Sequence, residues 1–269
     1  MLRVRWDDLP LAARAAVEAR TGLVRGTVTA SGGVNSGIAA TVHAEGGSVF
    51  VKGVPADHPQ VRTQQREADV NPYLPAACPR MLWHLRAGGW DLIGYERLDG
   101  RHADYAPGSP DLPLVADALA ELQATACPDL AVLRSATQRW AAHAGGAAEQ
   151  FAGDALLHTD LAPDNLLIND RAHLVDWAWP TRGAAWIDPA VLVLRLMAAG
   201  HTAPEADDWA RRFPSWADAP RAAVTAFSLA NAQLWDEIAR ADPRSWKKDM
   251  ARCAHDWVTY WTAPTRPKR

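Results

Sequence analysis

Residues 156–180, LLHTDLAPDNLLINDRAHLVDWAWP, concentrate side chains able to do chemistry. His158, Asp160 and Asn165 fall in the pattern His-x-Asp-Leu-x-x-x-Asn, and Asp176 follows eleven residues after Asn165. Between Asn165 and Asp176 the chain reads as an apolar strand, a turn at Asn169-Asp170-Arg171 and a second apolar strand. A hairpin returns its two ends to one place, so this spacing predicts that the Asn165 amide and the Asp176 carboxylate share a site. Both offer hard oxygen atoms, the donors that Mg²⁺ takes. Asp160, at a junction of strand and loop, is placed to orient a hydroxyl and accept its proton. A base followed by two metal-binding oxygens is what phosphoryl transfer asks of a protein, since that reaction needs positioning and charge cancellation more than covalent help. Read singly, Asp160 would serve as a helix cap and Asn165 as a turn residue. The joint pattern, with both strands in place, favours the chemical reading. His158 fits a buried scaffold for the loop better than an acid or base.

A nucleotide grip is expected upstream. Lys52 ends the apolar run Val49-Phe50-Val51. Glu67, fifteen residues on, and Asp69 are its candidate partners. Two unit charges about 4 Å apart attract by roughly 4 kcal/mol at an effective dielectric of 20, enough to fix a side chain before desolvation is subtracted. Ser31-Gly32-Gly33-Val34-Asn35-Ser36-Gly37 lies between two strands and forms a candidate phosphate loop, in which glycines let backbone amides approach phosphate oxygens. It is not a Walker A loop, lacking Gly-Lys-Ser/Thr, and a Rossmann turn is ruled out because a strand follows where a helix is required.

The 158–176 segment keeps the spacing of the protein-kinase signature His-Arg-Asp-Leu-x-x-x-Asn with Asp-Phe-Gly, but Thr159 replaces Arg and Asp176-Trp177-Ala178 replaces Asp-Phe-Gly. With these substitutions the chain resembles the aminoglycoside phosphotransferase family over most of its length. The match is specific in the catalytic segment, moderate in the small lobe and weak toward the C-terminus. The resemblance implies an α+β, bilobal protein-kinase-like fold, with a small β-rich N-lobe and a larger, mostly helical C-lobe. It implies ATP or GTP with Mg²⁺ as cofactors, and transfer of the γ-phosphoryl group to a hydroxyl of a small molecule. Asp160 would be the catalytic base and Asn165 and Asp176 the metal ligands. Lys52 would hold the α/β-phosphates, with Glu67 chosen as its partner. Ser31, Gly32, Gly33, Ser36 and Gly37 would cradle phosphate, and the Glu96 carbonyl and Leu98 amide would meet the adenine edge. His158 and Asp188, the latter in GAAWIDPAVLVLRL, would brace the catalytic loop.

The acceptor implied is an aminoglycoside-type or other antibiotic, and antibiotic resistance is the role that goes with it. A polycation needs ionised carboxylates, for which Asp207, Asp208, Asp236 and Glu237 are the candidates. The alternatives are a kinase of a small amino-alcohol metabolite and a catalytically weak nucleotide-binding pseudokinase. A protein kinase is disfavoured by Thr159, the missing Asp-Phe-Gly and the absence of an Ala-Pro-Glu segment.

The elements that must position these residues are legible. Leu9 to Arg20 carries helical spacing, stopped by Gly22. Strands are expected around Val28, Ala39–Ala44, Ser48–Val54, Met81–His84 and Trp90–Tyr95, with Glu45-Gly46-Gly47 as a hairpin turn and a helix over 60–74 between the third and fourth. Beyond residue 98 helices dominate: 114–125, 135–150, 189–199, 205–213, 221–241 and 246–261. The division expected is a nucleotide-binding lobe over 1–97 and a catalytic and substrate-binding lobe over 98–269.

Bulk properties set outer bounds. A formal charge of -3 and a pI near 6.3 argue against nucleic acid as a partner. Cys78, Cys127 and Cys253 form no Cys-x-x-Cys pair, so neither a disulfide framework nor a zinc site is expected. The N-terminus has charges where a signal peptide needs an apolar stretch, and no apolar run reaches bilayer length. The expectation is a cytoplasmic protein without membrane contact, monomeric or weakly dimeric. The 13 Trp are read mainly as packing residues.

Overall fold

Apolar alternation between Val24 and Glu96 builds a five-stranded antiparallel sheet. The computed structural model describes residues 3–30, Gly32 and residues 36–263. The chain forms two compact units, one of Met1–Ala103 with Asp164–Trp179 and one of Asp104–Pro163 with Pro180–Arg269.

In the first unit helix α1 (Leu11–Thr21) ends at Gly22, whose φ of 78° is the left-handed conformation that glycine takes without cost. Strands β1 (Val24–Thr29), β2 (Ile38–Ala44) and β3 (Gly47–Pro55) follow, then helix α2 (Val61–Val70), β4 (Met81–Ala87) and β5 (Trp90–Glu96). They pair in the order β1-β2-β3-β5-β4, all antiparallel. Val49 and Val51 of β3 turn into a core with Trp6, Leu9, Ala13, Val17, Val42 and Leu92, which α1 covers. Successive side chains on a strand alternate faces, so Phe50 and Lys52 emerge on the other side. There Phe50 packs with Ala68 of α2, Ile93 and Tyr95. Helix α2 is tied down by Gln64, which donates to the Asp91 carbonyl at 2.7 Å and to its carboxylate at 2.5 Å. Gly94 is required by packing: a Cβ there would stand 2.2 Å from the Trp83 indole.

A short strand, β6 (Arg101–His102), closes this stretch. Residues 104–163 hold α3 (Asp111–Gln123), β7 (Arg134–Ser135), α4 (Ala136–Ala144) and β8 (Ala155–Leu157). The chain then rejoins the first unit with β9 (Leu166–Ile168) and β10 (Ala172–Leu174). These pair as a hairpin, β9 also pairs β6, and the Leu174 N–H donates to the Ala77 carbonyl at 2.8 Å. The expected 97/98 division follows chain order. Compactness instead groups residues 98–103 and 164–179 with the sheet, because those hydrogen bonds bind them there.

The second unit continues with β11 (Thr181–Gly183), α5 (Ile187–Ala198), α6 (Ala203–Ala210), α7 (Pro214–Ala217), α8 (Arg221–Ala241) and α9 (Ser245–Thr262). β7, β11 and β8 form a small sheet. Its core is aromatic: Phe227 meets Trp140, Phe151, Trp186 and Trp257 edge-to-face, with centroids 4.9 to 6.4 Å apart. The helix expected over 135–150 stops at Ala144. Gly145 takes φ 55°, and residues 145–151 continue as a 3₁₀ turn. Among the described residues no helix is long and apolar enough to cross a membrane.

Candidate active site

Lys52 sits on the central strand β3, opposite Ala39 of β2 and Ile93 of β5. Its Nζ donates to Glu67 Oε2 at 2.8 Å and to Asp176 Oδ1 at 2.7 Å. The Lys52 and Glu67 side chains are 15% and 7% exposed, while Asp176 reaches 36%. Burial works to lower the Lys52 pKa, but the Asp176 and Glu67 carboxylates outweigh it and push it up, so the ammonium stays charged. Burial pushes the Glu67 carboxyl up against the pull of Lys52, a cation it shares with Asp176. Asp69, the other acid considered beside Glu67, instead accepts from Gln65 at 2.8 Å.

The β9–β10 hairpin brings the two ends of its segment together. Asn165 immediately precedes β9, Asp176 follows β10, and the Val175 N–H donates to the Asn165 carbonyl at 2.9 Å. Asp176 has φ 63°, a conformation that costs a non-glycine residue energy and clusters at functional positions.

Lys52, Glu67, Asn165 and Asp176 line one cavity of about 340 Å³ within this unit, in the range of small-ligand sites. Gly32, Ser36, Glu96 and Leu98 line it too, and Ala39, Phe50, Tyr95, Leu167 and Val175 give it an apolar wall. Ser31 and Gly33 lie outside the described residues. Gly37 is not part of the lining; its carbonyl accepts the Val4 N–H at 2.8 Å. The Glu96 carboxylate accepts the Arg80 N–H at 3.0 Å. Arg3, which motif spacing did not flag, donates to the Ala30 carbonyl at 2.7 Å and to the Gly32 carbonyl, and also lines the cavity.

Asp160, His158 and Asp188 belong to the helical unit. Asp188 is buried, and its two oxygens accept the His158 and Thr159 N–H groups, each at 2.8 Å. Burial pushes its carboxyl up, against those donors. Thr159 is held at φ 63°, and the Asp160 N–H reaches His158 Nδ1 at 3.3 Å. The Asp160 carboxylate is met by a residue the sequence pattern did not reveal: Arg195 of α5 donates from Nη2 to Oδ1 at 2.8 Å. Seven residues past Asp188, Arg195 lies two helical turns along α5, and that spacing is the only signal that could have found it.

The acids offered to a cationic acceptor are engaged within their own unit. Asp207 is buried and accepts from Trp216 Nε1 at 2.9 Å, from the Tyr260 hydroxyl at 3.0 Å and from Arg211 at 2.5 Å. It acts as a strut between helices. Asp208 lies 3.8 Å from Arg211, Asp236 pairs with His255 at 3.0 Å, and Glu237 pairs with His143 at 2.8 Å.

Comparison with solved structures places this architecture. A thermostable mutant of an aminoglycoside phosphotransferase, in ternary complex with ADP and hygromycin B, matches with a TM-score of 0.62 at 16% identity, over 93% of this chain and 99% of that one. The fold is that of the aminoglycoside phosphotransferases. A second member of that fold, from Alicyclobacillus acidocaldarius, matches with a TM-score of 0.63 at 15% identity, over 94% and 96% of the two chains. The phosphotransferase fold also extends to a choline kinase from Streptococcus pneumoniae, with a TM-score of 0.63 at 12% identity over 92% and 99%. No protein-family model and no curated protein matches the sequence.

The donor set fits Mg²⁺. Among the described residues no cluster of three or more His, Cys, Asp or Glu could cage a metal. Asn165 and Asp176, one with an amide and one with a carboxylate side chain, both line the cavity that holds Lys52. Mg²⁺ is commonly held this way, by one or two protein oxygens completed by phosphate and water.

Proposed function

We propose that the protein is a Mg²⁺-dependent phosphotransferase that moves the γ-phosphoryl group of ATP to a hydroxyl of a small molecule. The observation that carries this reading is the Lys52 ammonium, fixed between Glu67 and Asp176 in the wall of a cavity that Asn165 also lines. The ternary complex of the aminoglycoside phosphotransferase and the choline kinase, both of this fold, support it.

The adenine would lie against Ala39, Phe50, Leu167 and Val175, with the Glu96-to-Leu98 backbone at its edge. Lys52 would hold the α/β-phosphates. Its charge is secured by two carboxylates, so it does not titrate near neutral pH. Asn165 and Asp176 would hold Mg²⁺, which when bound cancels phosphate charge. Asp160 would orient the acceptor hydroxyl and take its proton as the new O–P bond forms and the bond to the β-phosphate bridging oxygen breaks, releasing ADP. Asp188 and His158 hold the backbone that carries Asp160.

The test pairs two variants. Asp176→Ala should abolish Mg²⁺-dependent ATP hydrolysis. Asp160→Ala should keep nucleotide affinity near wild type and lower turnover by about 10²–10⁴-fold, the usual contribution of a positioned base. Full turnover by Asp160→Ala on a verified acceptor would remove Asp160 from this role.

A further inference from the structure

In the helical unit Asp160 has a cationic neighbour that is backed by aromatic rings. Arg195 meets its carboxylate at 2.8 Å and is itself only 13% exposed. The Arg195 guanidinium lies 5.4 Å from the Trp235 ring centroid, and its Nη1 is 3.7 Å from Met250 Sδ. Trp235 in turn meets Trp246 at 6.1 Å, and Trp246, 47% exposed, is overlain by Arg244 and Lys247 at 5.6 and 5.4 Å. The Tyr105 hydroxyl is buried without a hydrogen-bond partner. It lies in the field of both Arg195 and Asp160, and burial pushes its pKa up, so it remains a neutral donor.

Asp207, Asp208, Asp236 and Glu237 each have a cationic or histidine partner in the same unit. An acceptor bearing several ammonium groups, brought to Asp160, would meet Arg195 at like charge, and like-charge juxtaposition is how sites reject partners. An acceptor with an apolar face and oxygen acceptors would meet a π surface and N–H donors.

Resting on the reading of Asp160 as the base of a phosphotransferase, we propose that the acceptor is a neutral or anionic hydroxyl compound with an apolar face, recognised through Arg195 and Trp235, and not a polyamine.

The experiment compares wild type, Arg195→Gln and Arg195→Glu. Acceptor-stimulated ADP release is measured with kanamycin, choline, the neutral aryl glucoside salicin and the sugar acid gluconate. Kanamycin binding is titrated in parallel, and so is a non-hydrolysable ATP analogue. Among compounds that stimulate wild type, the best should be neutral or anionic. Reversing the charge should tighten kanamycin binding at least about tenfold, with Arg195→Gln between wild type and Arg195→Glu. A polyamine as the best acceptor of wild type, or kanamycin binding unchanged in Arg195→Glu, overturns the proposal. If no compound is turned over, the kanamycin titration alone decides. Loss of ATP-analogue binding by wild type strikes the phosphotransfer reading itself, and this inference with it.

Discussion

The Lys52 ammonium and the Glu67 carboxylate, fifteen residues apart in the chain, meet at 2.8 Å inside the β-rich unit. The strand puts Lys52 on the face that α2 covers, and the helix returns Glu67 to it. Glu67→Gln and Lys52→Met should each weaken ATP-analogue binding roughly ten- to a hundredfold, the loss of one charge-assisted hydrogen bond of about 1.5–3 kcal/mol. Isothermal titration checks this. The Glu67 pKa is raised by burial, so its contribution to stability is present at low pH and declines as pH rises through its titration. Glu67→Gln should remove that decline from a series of urea titrations at increasing pH.

Asp91 should govern the acid side of stability. Burial works to raise its pKa, but hydrogen bonds from Arg86, His84 and Gln64 outweigh that and lower it. A lowered carboxyl stabilises the fold above its unfolded value and loses that contribution as pH falls through the folded one. Asp91→Asn should therefore flatten the acid limb of stability against pH. It should also loosen α2, whose Gln64 it holds at 2.5 Å, and so weaken nucleotide binding through Glu67. Urea unfolding between neutral and acid pH, together with ATP-analogue titration, reads both effects.

Asp207 was a substrate candidate by sequence, and its surroundings predict a structural phenotype. Replacing it by Ala leaves the Trp216 indole N–H, the Tyr260 hydroxyl and Arg211 without their shared acceptor. Breaking a buried charged cluster on one side costs roughly 3–5 kcal/mol. Asp207→Ala should lower the midpoint of urea unfolding strongly, while the surviving folded fraction binds ATP analogue with wild-type affinity. A specific loss of acceptor binding at unchanged stability would restore the substrate role.

Local signals carried far in this chain where geometry is local. The β9–β10 hairpin, the run of strands from β2 to β5 and the 221–241 helix were legible because strand alternation, turn residues and helical period are written in adjacent residues. β6, β7 and β11 were not: Arg101-His102, Arg134-Ser135 and Thr181-Arg182-Gly183 carry no apolar run of the kind that marks β9 and β10 on either side of their turn, and they exist only through their partners. The same distinction divides the candidate site. Lys52, Asn165 and Asp176 stand at readable element ends. Arg195 reaches Asp160 from a separate helix, and Arg3 reaches the Ala30 and Gly32 carbonyls from 27 and 29 residues away. Charge alone marks Asp207 as a carboxylate for a cationic acceptor, and only packing shows three donors converging on it.

Thr159 offers a test of stored strain beside the Asp160 position. Its φ of 63° is unfavourable for a β-branched residue by about 1–2 kcal/mol, and glycine avoids that cost. Glycine also widens the unfolded ensemble, a loss of about 0.5–1 kcal/mol, so Thr159→Gly should be neutral to slightly stabilising. Asp188 anchors this backbone, since its two oxygens take the His158 and Thr159 N–H groups. Asp188→Ala leaves those buried donors unmatched, at about 1–3 kcal/mol each, and should destabilise the protein and slow turnover together. In the Asp188→Ala background, Thr159→Gly should help less, because the anchor that Asp188 gives the residue 159 backbone is gone. A double-mutant cycle by urea unfolding measures that coupling, and strict additivity of the two changes would detach the Thr159 conformation from Asp188.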